Sequence, residues 1–448
     1  MNRDWVNSGV NPNLRKPLLV RRGFRPACFL YMNDDEGGNV VKSELEQPKP
    51  QAGQEEERRT QIIPIVTDEA FAERLIAIRR HLHRHPELSG EERETTAAIR
   101  GWLEEEGVRI ADEYSLRTGL IAEVGQGDGP VVALRADIDA LPIQEETKLE
   151  FASQVAGKMH ACGHDAHTAI LIGAARLLKQ RESQLPGKVR LLFQPSEEKA
   201  TGARQVIQSG ALSDVRAVFG LHNKPDLQVG TVGIREGALL AAADGFVVNV
   251  EGVGTHAAVP EAGIDPIVVA SHIVTALQAI VSRNVGAQES AVISVTKIHS
   301  GTAWNVIPDQ AILDGTVRTF DEKVRARIRE RFNQVVSGVA AAYGTRATVR
   351  WIQGPPAVVN DASLASSAEQ VAAEVGLNSV RPLPSPAGED FSFYQKEVPG
   401  LFLFLGTSGP HEWHHPAFDL DERALPLGAH LLAALAEQAL HNLQLQRD

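Results

Sequence analysis

Met159-His160-Ala161-Cys162-Gly163-His164-Asp165-Ala166-His167-Thr168-Ala169 is the stretch on which the reading of this chain turns. It packs one of the two cysteines, three histidines and an aspartate just ahead of an apolar helical run. Packing alone does not call for so many ligand-type side chains at a helix start. Working outward, the stretch sits between two apolar runs of the kind that form buried parallel strands. Upstream, Val131-Val132-Ala133-Leu134 leads into Arg135-Ala136-Asp137-Ile138-Asp139-Ala140-Leu141-Pro142. Downstream, a helix over 167–180 precedes a strand over 188–194 that ends in Gln194-Pro195-Ser196-Glu197-Glu198. A helix over 203–209 and a strand over 217–221 ending at His222 follow. Three apolar strands thus deliver acids or histidine at their carboxyl ends, which is the alternating pattern of a doubly wound α/β sheet and of its ligand sites.

Further upstream, Phe71, Leu75, Ile78 and Leu82 fall at helical spacing, and Pro86 closes that helix. Ser89 and Glu92 have the spacing of a capping box, which predicts a helix running to Gly107. His81, His83 and His85 read as surface groups near a helix C-terminus. Strands are expected at 118–125 and 130–137.

The pattern changes near Asp244. A strand at 245–251, a helix at 266–282, strands at 290–298 and 310–319, a helix at 322–342 and a strand at 346–352 give the β-α-β-β-α-β order of a ferredoxin-like unit. It carries no acid–histidine cluster, although His256, Asn305 and Arg318 stand at its element ends. Pro355-Pro356 marks the return to the first unit. A helix at 363–376, a strand at 400–405 and a helix at 423–443 complete the chain, with His411-Glu412-Trp413-His414-His415-Pro416 in the loop between the last two. The expected organisation is a catalytic domain from 67–242 and 354–448, interrupted by a smaller domain at 243–353. Residues 1–66 are basic, then polar and Pro/Gly-bearing, without periodicity. They are expected to be a disordered extension, a targeting segment or the product of a start assigned too early.

With 448 residues, two to three domains are expected. A net charge of −12 argues against nucleic-acid or anionic-membrane partners. No uninterrupted apolar run reaches the roughly 18 residues of a membrane span. Cys28 and Cys162 make no disulfide framework, so a reducing, cytoplasmic location is expected.

A catalytic two-metal site needs N, O or S ligands from separate loops and a general base nearby. The candidates are Cys162, His164, Glu198, His222 and either His414 or His415. Glu197 and Glu198 are neighbours in an extended segment, so they point apart and suit different tasks, one at a metal and one at a water. Asp137, Asp139 and Asp165 read as groups that orient ligands or as simple turn residues. Glu389-Asp390 reads equally as a helix start or as part of the site. The rival chemistry is a thiol hydrolase with Cys162 as nucleophile and His222 as its base.

These stretches resemble the M20 metallopeptidase family, in its amidohydrolase branch of N-acyl-amino-acid amidohydrolases, hippurate hydrolases and indole-acetyl-amino-acid hydrolases. The matching segments are Arg79-Arg80-His81-Leu82-His83 with Pro86-Glu87-Leu88, residues 134–142, 160–169 and 194–198, Gly254–Pro260 with Gly263–Pro266, Asn305–Pro308 with Gly315–Arg318, Gly388–Phe391 and His414–Asp419. They follow the family's order over about 68–440. The resemblance implies a mixed-sheet, zinc-peptidase-like catalytic domain holding two divalent ions (Mn, Zn, Co or Ni), with an inserted lid that also dimerises. It implies Cys162, His164, Glu198, His222 and His414 as metal ligands, the last because the family's ligand stands two before the proline, and Glu197 as general base. It implies His256 as an oxyanion group reaching a partner's site, and Asn305 and Arg318 as holders of the substrate carboxylate. The implied reaction is hydrolysis of an N-acyl amino acid, a small-molecule substrate, in a homodimer or higher homo-oligomer. A dipeptidase, carboxypeptidase or ureido hydrolase of the same family and a non-catalytic metal-binding protein are the alternatives. Thr255 stands where the branch often has glycine, Glu261 where it often has histidine, and Asn223-Lys224 where an aromatic neighbourhood is usual.

Overall fold

The structure is a computed structural model, and it describes residues 68–446. The expectation for residues 1–66 lies outside the described residues.

Continuous apolar runs make the centre. Val131–Asp137, Lys188–Gln194, Val215–Lys224 and Gly400–Gly406 are mutually parallel and almost wholly buried. They form the middle of an eight-stranded mixed sheet. Its order is Arg109–Ile110, Leu120–Val124, Lys188–Gln194, Val131–Asp137, Val215–Lys224, Gly400–Gly406, Thr231–Gly233, Asn378–Val380. Side chains alternate across the sheet. Leu134, Leu191 and Phe219 join one core with helices Glu69–Arg84, His164–Gln180 and Ala424–Leu445. Ala133, Leu192 and Val218 join a second core with Val206, Phe391 and Tyr394. The first of the four parallel strands, Val131–Asp137, lies between the next two, so the chain switches sides there. Ligand crevices form outside the carboxyl ends of the strands at such a switch.

The ferredoxin-like order is present as a separate four-stranded antiparallel sheet: Ala291–Ser300, Gln310–Thr319, Ala242–Glu251, Ala347–Ile352. Helices Pro266–Asn284 and Glu322–Ala342 cover one face, and Val248, Leu313, Ile273, Leu277 and Phe332 form its own core. Pro266–Asn284 is long and apolar enough to cross a membrane by length and composition, but its apolar stripe is packed against this sheet. The two crossings between the sheets run side by side. Asp244 accepts bonds from Arg325 Nε at 2.7 Å and Nη2 at 2.6 Å, and from Gly354 N at 3.1 Å. A Cβ on Gly354 would stand 1.7 Å from the Ala243 carbonyl oxygen, so the close approach requires glycine.

Two local expectations are corrected. Ser89 and Glu92 do not form a capping box; the N-cap residue of helix Arg93–Glu105, Glu92, makes no side-chain cap, and the Glu87 carboxylate accepts from Glu94 N and Thr95 N instead. Ser89 instead donates to Asp139 at 2.6 Å, and Glu92 accepts from Thr118 Oγ1 and Ser196 N. Buried groups at the strand ends outcompete a local cap. His83 is not at the surface. It is buried between Asp165 and Glu145, while His81 and His85 are exposed.

Candidate metal centre

All the polar loops meet at the carboxyl edge of the parallel strands. The Cys162-Gly163-His164 turn starts helix His164–Gln180, with Gly163 at φ +84° as its N-cap residue. A Cβ there would stand 2.4 Å from Asn223 Nδ2, so glycine is needed for both conformation and space. Asn223 Nδ2 donates to the Cys162 carbonyl at 2.6 Å and to His167 Nε2 at 3.0 Å. His167 Nδ1 donates to Asp137 Oδ1 at 2.6 Å. His167 therefore braces the turn.

Two donor groups share Cys162. Cys162, His164 and His222 bring their ligand-type atoms within 4.8 Å of one another, and so do Cys162, Glu198 and His414. Cys162 Sγ is 3.4 Å from His222 Nε2, whose Nδ1 donates to the Asn223 carbonyl at 2.9 Å. His164 Nδ1 donates to the Asp139 carbonyl at 2.9 Å, which leaves Nε2 facing Asp137 at 3.6 Å and Glu198 at 4.0 Å. His414 Nε2 lies 3.5 Å from Glu198 Oε1. His415 turns away: it stacks on His411 and accepts from Ala417 N, and it joins no such group among the described residues.

Glu197 and Glu198 do not lie in an extended segment: residues 197–200 form a turn, with Ala200 N donating to the Glu197 carbonyl at 2.6 Å, and within it the two side chains take different partners. Asp139 fixes the turn by accepting Glu197 N and Glu198 N, both at 3.1 Å. Glu198 reaches His164 and His414, whereas Glu197 lies within 4.8 Å of His164 and Glu198 but accepts from Asp390 N at 3.4 Å and also faces Glu389 and Asp390. Beneath them Arg135, fully buried, donates to Asp137, Gln194, Glu389 and Asp390. Glu389-Asp390 is both things the sequence allowed: Glu389 caps a short 3₁₀ helix, and both acids face the site.

The electrostatics ask for cations. Burial and the carboxylates of Glu198 and Glu197 push the Cys162 thiol well up. Burial raises Glu198 to about 7, and burial with Glu389 and Glu198 raises Glu197. Against burial, Asp137 and Asp139 raise His164 to about 10, which shows how strongly the surrounding carboxylates favour positive charge here. His164 Nε2 and Glu198 Oε1 are buried with no hydrogen-bond partner among the described residues. Unpaired buried donors of this kind fit divalent ions, which favour thiolate, neutral imidazole and carboxylate together. The same pattern disfavours a thiol hydrolase. Burial and His167 push His222 well down, so a thiolate–imidazolium pair with Cys162 is not stabilised.

Comparison with known proteins agrees. The pattern of Peptidase family M20/M25/M40 matches residues 133–438. The chain belongs to this family. It is 52% identical over 380 residues to N-acetylcysteine deacetylase of Bacillus subtilis, covering 85% of this chain and 100% of that protein. It is 42% identical over 385 residues to IAA-amino acid hydrolase ILR1-like 4 of Arabidopsis thaliana, covering 84% and 87%. The crystal structure of a dinuclear metal binding peptidase of the M20 family from Bacillus subtilis matches with a TM-score of 0.76 and 50% identity, covering 84% of this chain and 99% of that one. This M20 protein is a metal-dependent amidohydrolase with two divalent ions as cofactor, and its clustered thiol, imidazole and carboxylate groups could hold such ions.

Not every expected residue joins the cluster. His256 is exposed on the short ribbon Thr255–His256 and Val306–Ile307, with Nδ1 accepting from Ala258 N. Asn305 stands beside that ribbon, its carbonyl accepting from Ala257 N. Arg318 donates through Nε to the Pro386 carbonyl at 3.2 Å and also contacts Thr316, at the seam with the loop that leads to Glu389. Asp165 lies beneath the turn, bonded to Arg79 and His83.

Arg79, His83, Arg135, His167 and Asn223 were missed on sequence grounds. A signal existed for three of them. Arg79 and His83 fall on the same helical stripe as Leu75, Ile78 and Leu82, and Arg135 interrupts an apolar strand. Charges in such positions need partners.

Proposed function

We propose that the enzyme hydrolyses the amide bond of N-acyl amino acids, releasing a carboxylate and a free amino acid. The observation that carries this is the divergence of Glu197 and Glu198. Glu198 reaches both His164 and His414 and shares a group with Cys162, whereas Glu197 groups with His164 and Glu198 on one side and with Glu389 and Asp390 on the other, away from Cys162, His222 and His414. The similarity to an N-acetylcysteine deacetylase and an IAA-amino acid hydrolase supports the substrate class.

Cys162, His164 and His222 would hold one ion, and Cys162, Glu198 and His414 the other. Two divalent ions there would lower the pKa of a water and polarise the acyl carbonyl. Glu197 takes the proton from the attacking water and hands it to the leaving amine nitrogen as the amide C–N bond breaks. Asp139 holds Glu197 and Glu198 in place through their amides. Arg318, with its planar guanidinium, and Asn305 hold the free carboxylate of the substrate.

Residues 243–353 act as lid and dimerisation domain on the catalytic domain of 67–242 and 354–448. The separate core and the Asp244–Arg325–Gly354 clamp at the crossings support this reading. His256, exposed and away from the cluster, serves the oxyanion of a partner's site. The edge strand Ala291–Ser300 and exposed Trp304 and Val306 offer the surface for a second copy.

The test is a screen of N-acetyl, N-benzoyl and indole-acetyl amino acids, with dipeptides and ureido acids as comparison, under added Mn²⁺, Zn²⁺, Co²⁺ or Ni²⁺. Turnover of the N-acyl set is expected. Turnover confined to dipeptides or ureido acids would overturn the substrate class.

A further inference from the structure

Of the matching segments, Arg79-Arg80-His81-Leu82-His83 has no task in the mechanism. We infer that Arg79 is a positioning residue of the metal centre, tying the loop that carries His414 to the turn that carries Cys162 and His164. The inference rests on the two-ion reading above.

The five proposed ligands are not held alike. Cys162, His164 and His222 are buried at a helix start and a strand end. His414 is on a loop, with a side chain 53% exposed and a backbone φ of +65°. A non-glycine residue keeps such a conformation only where its surroundings impose it. The loop is anchored at His414 itself, whose N donates to the Ala161 carbonyl at 2.8 Å. Its far end is anchored by Arg79 at Asp419 and Glu422, and by Arg80 at Glu422 as well, through Nη2 at 2.6 Å.

Arg79 is wholly buried and uses each arm of its guanidinium on a different segment. Nε donates to Asp165 Oδ2 at 3.2 Å, directly after His164 in the chain. Nη2 donates to Asp419 Oδ1 at 3.1 Å, and Nη1 to Glu422 Oε1 at 3.0 Å, both beyond His414 on its loop. His83, one helical turn on, donates to the same Asp165 oxygen at 2.8 Å and fixes the aspartate from the other side. Only a planar fork of N–H groups reaches three carboxylates in this way; a lysine ammonium, as a point charge, does not. Arg79 thus sets the distance between the His414 half of the centre and the Cys162–His164 half without touching either group of donors.

The bland reading is an ion pair that serves the fold alone. Metal titration of the full-length protein separates the two. Apo protein is titrated calorimetrically with Zn²⁺ alone, and in parallel its unfolding is followed. The wild type is expected to take two equivalents; a single equivalent would break the two-ion reading itself, whatever Arg79 does. The variants are Arg79→Lys and the double variant Asp419→Asn with Glu422→Gln. The double variant leaves Arg79 and Asp165 together, so it carries the test if Arg79→Lys does not fold. In each, one equivalent is expected to weaken by about 10- to 100-fold, the usual effect of losing a group that orients a ligand, while the other keeps its affinity. His83→Gln, which touches Asp165 but not the His414 loop, is expected not to give that one-ion pattern. Equal weakening of both equivalents, unchanged binding of both with only a lower unfolding temperature, or the same selective loss in His83→Gln would each overturn the assignment.

Discussion

The carboxyl edge of the eight-stranded sheet and the four-stranded sheet bury opposite kinds of surface. At the first, Arg135, Asp137, Asp139, His164, His167, Glu389 and Asp390 are all out of solvent. In the second sheet and its helices, the buried polar side chains among the described residues are Asp244, Thr319 and Arg325, and all the rest of its core is apolar. The outer surfaces reverse this. Of thirteen exposed large hydrophobics in the described chain, ten lie within 242–352, Trp304 the most exposed of them. One region concentrates charge inside, where it can act on a reacting bond. The other keeps a plain core and puts apolar groups outside, where they suit contact with another surface. The proposed division of chemistry and contact between the two sheets rests on this contrast.

That division can be broken experimentally, and the largest effect belongs to the chemistry. Glu197→Gln is expected to lower kcat by about 10²- to 10⁴-fold, the range for a general acid–base, with both metal equivalents still bound. Metal analysis and steady-state kinetics on one preparation check it; full activity would end the mechanism.

Next comes the buried charge. Arg135→Met leaves Asp137, Glu389 and Asp390 without their cation and is expected to cost about 3–5 kcal/mol in urea unfolding, together with activity. Phe332→Ala, in the apolar core of the second sheet, is expected to cost a similar 3–5 kcal/mol. Folded molecules of that variant should retain metal binding. If Phe332→Ala strips the metals as well, the two regions are not separate in function.

A smaller effect is expected from pH. Despite the penalty of burial, hydrogen bonds to Asp165 and Glu145 raise His83 from 6.5 to about 9. A histidine raised on folding stabilises fully below its unfolded pKa, and that stability is lost as pH climbs through the folded value. Wild-type unfolding free energy should therefore fall between about pH 6.5 and 9, by at most about 3 kcal/mol from this group. His83→Gln should flatten that slope; an unaltered slope would show that His83 does not carry it.

The smallest change in stability is expected at the outer surface. Trp304→Ser with Val306→Ser should alter the unfolding of the separate protomer by no more than about 0.5 kcal/mol, since both side chains are exposed in it. Sedimentation velocity should nevertheless show dissociation to monomers. An unchanged oligomer would move the proposed contact elsewhere.

Most of the elements were legible because apolar periodicity reports them directly. The helix expected at 322–342 is Glu322–Ala342, and the strand expected at 310–319 is Gln310–Thr319. Short strands such as Thr231–Gly233 and Asn378–Val380 were not legible, since three residues carry no period. The Ser89–Glu92 spacing misled because a capping box is a local rule, and both side chains found stronger partners far along the chain.

By itself, the sequence determined the chemistry available: a thiol, imidazoles and carboxylates at the ends of buried strands, with Glu197 and Glu198 adjacent after one of them. Only the tertiary structure decided which of them meet. It turned His414 inward and His415 outward, and drew His83 and Arg79 under the site. It also set Arg135 among acids more than two hundred residues away. The physical reason is that a side chain's type and local direction follow from its own residue and backbone. Its partners follow from which distant segments the core brings together, and no local spacing encodes that.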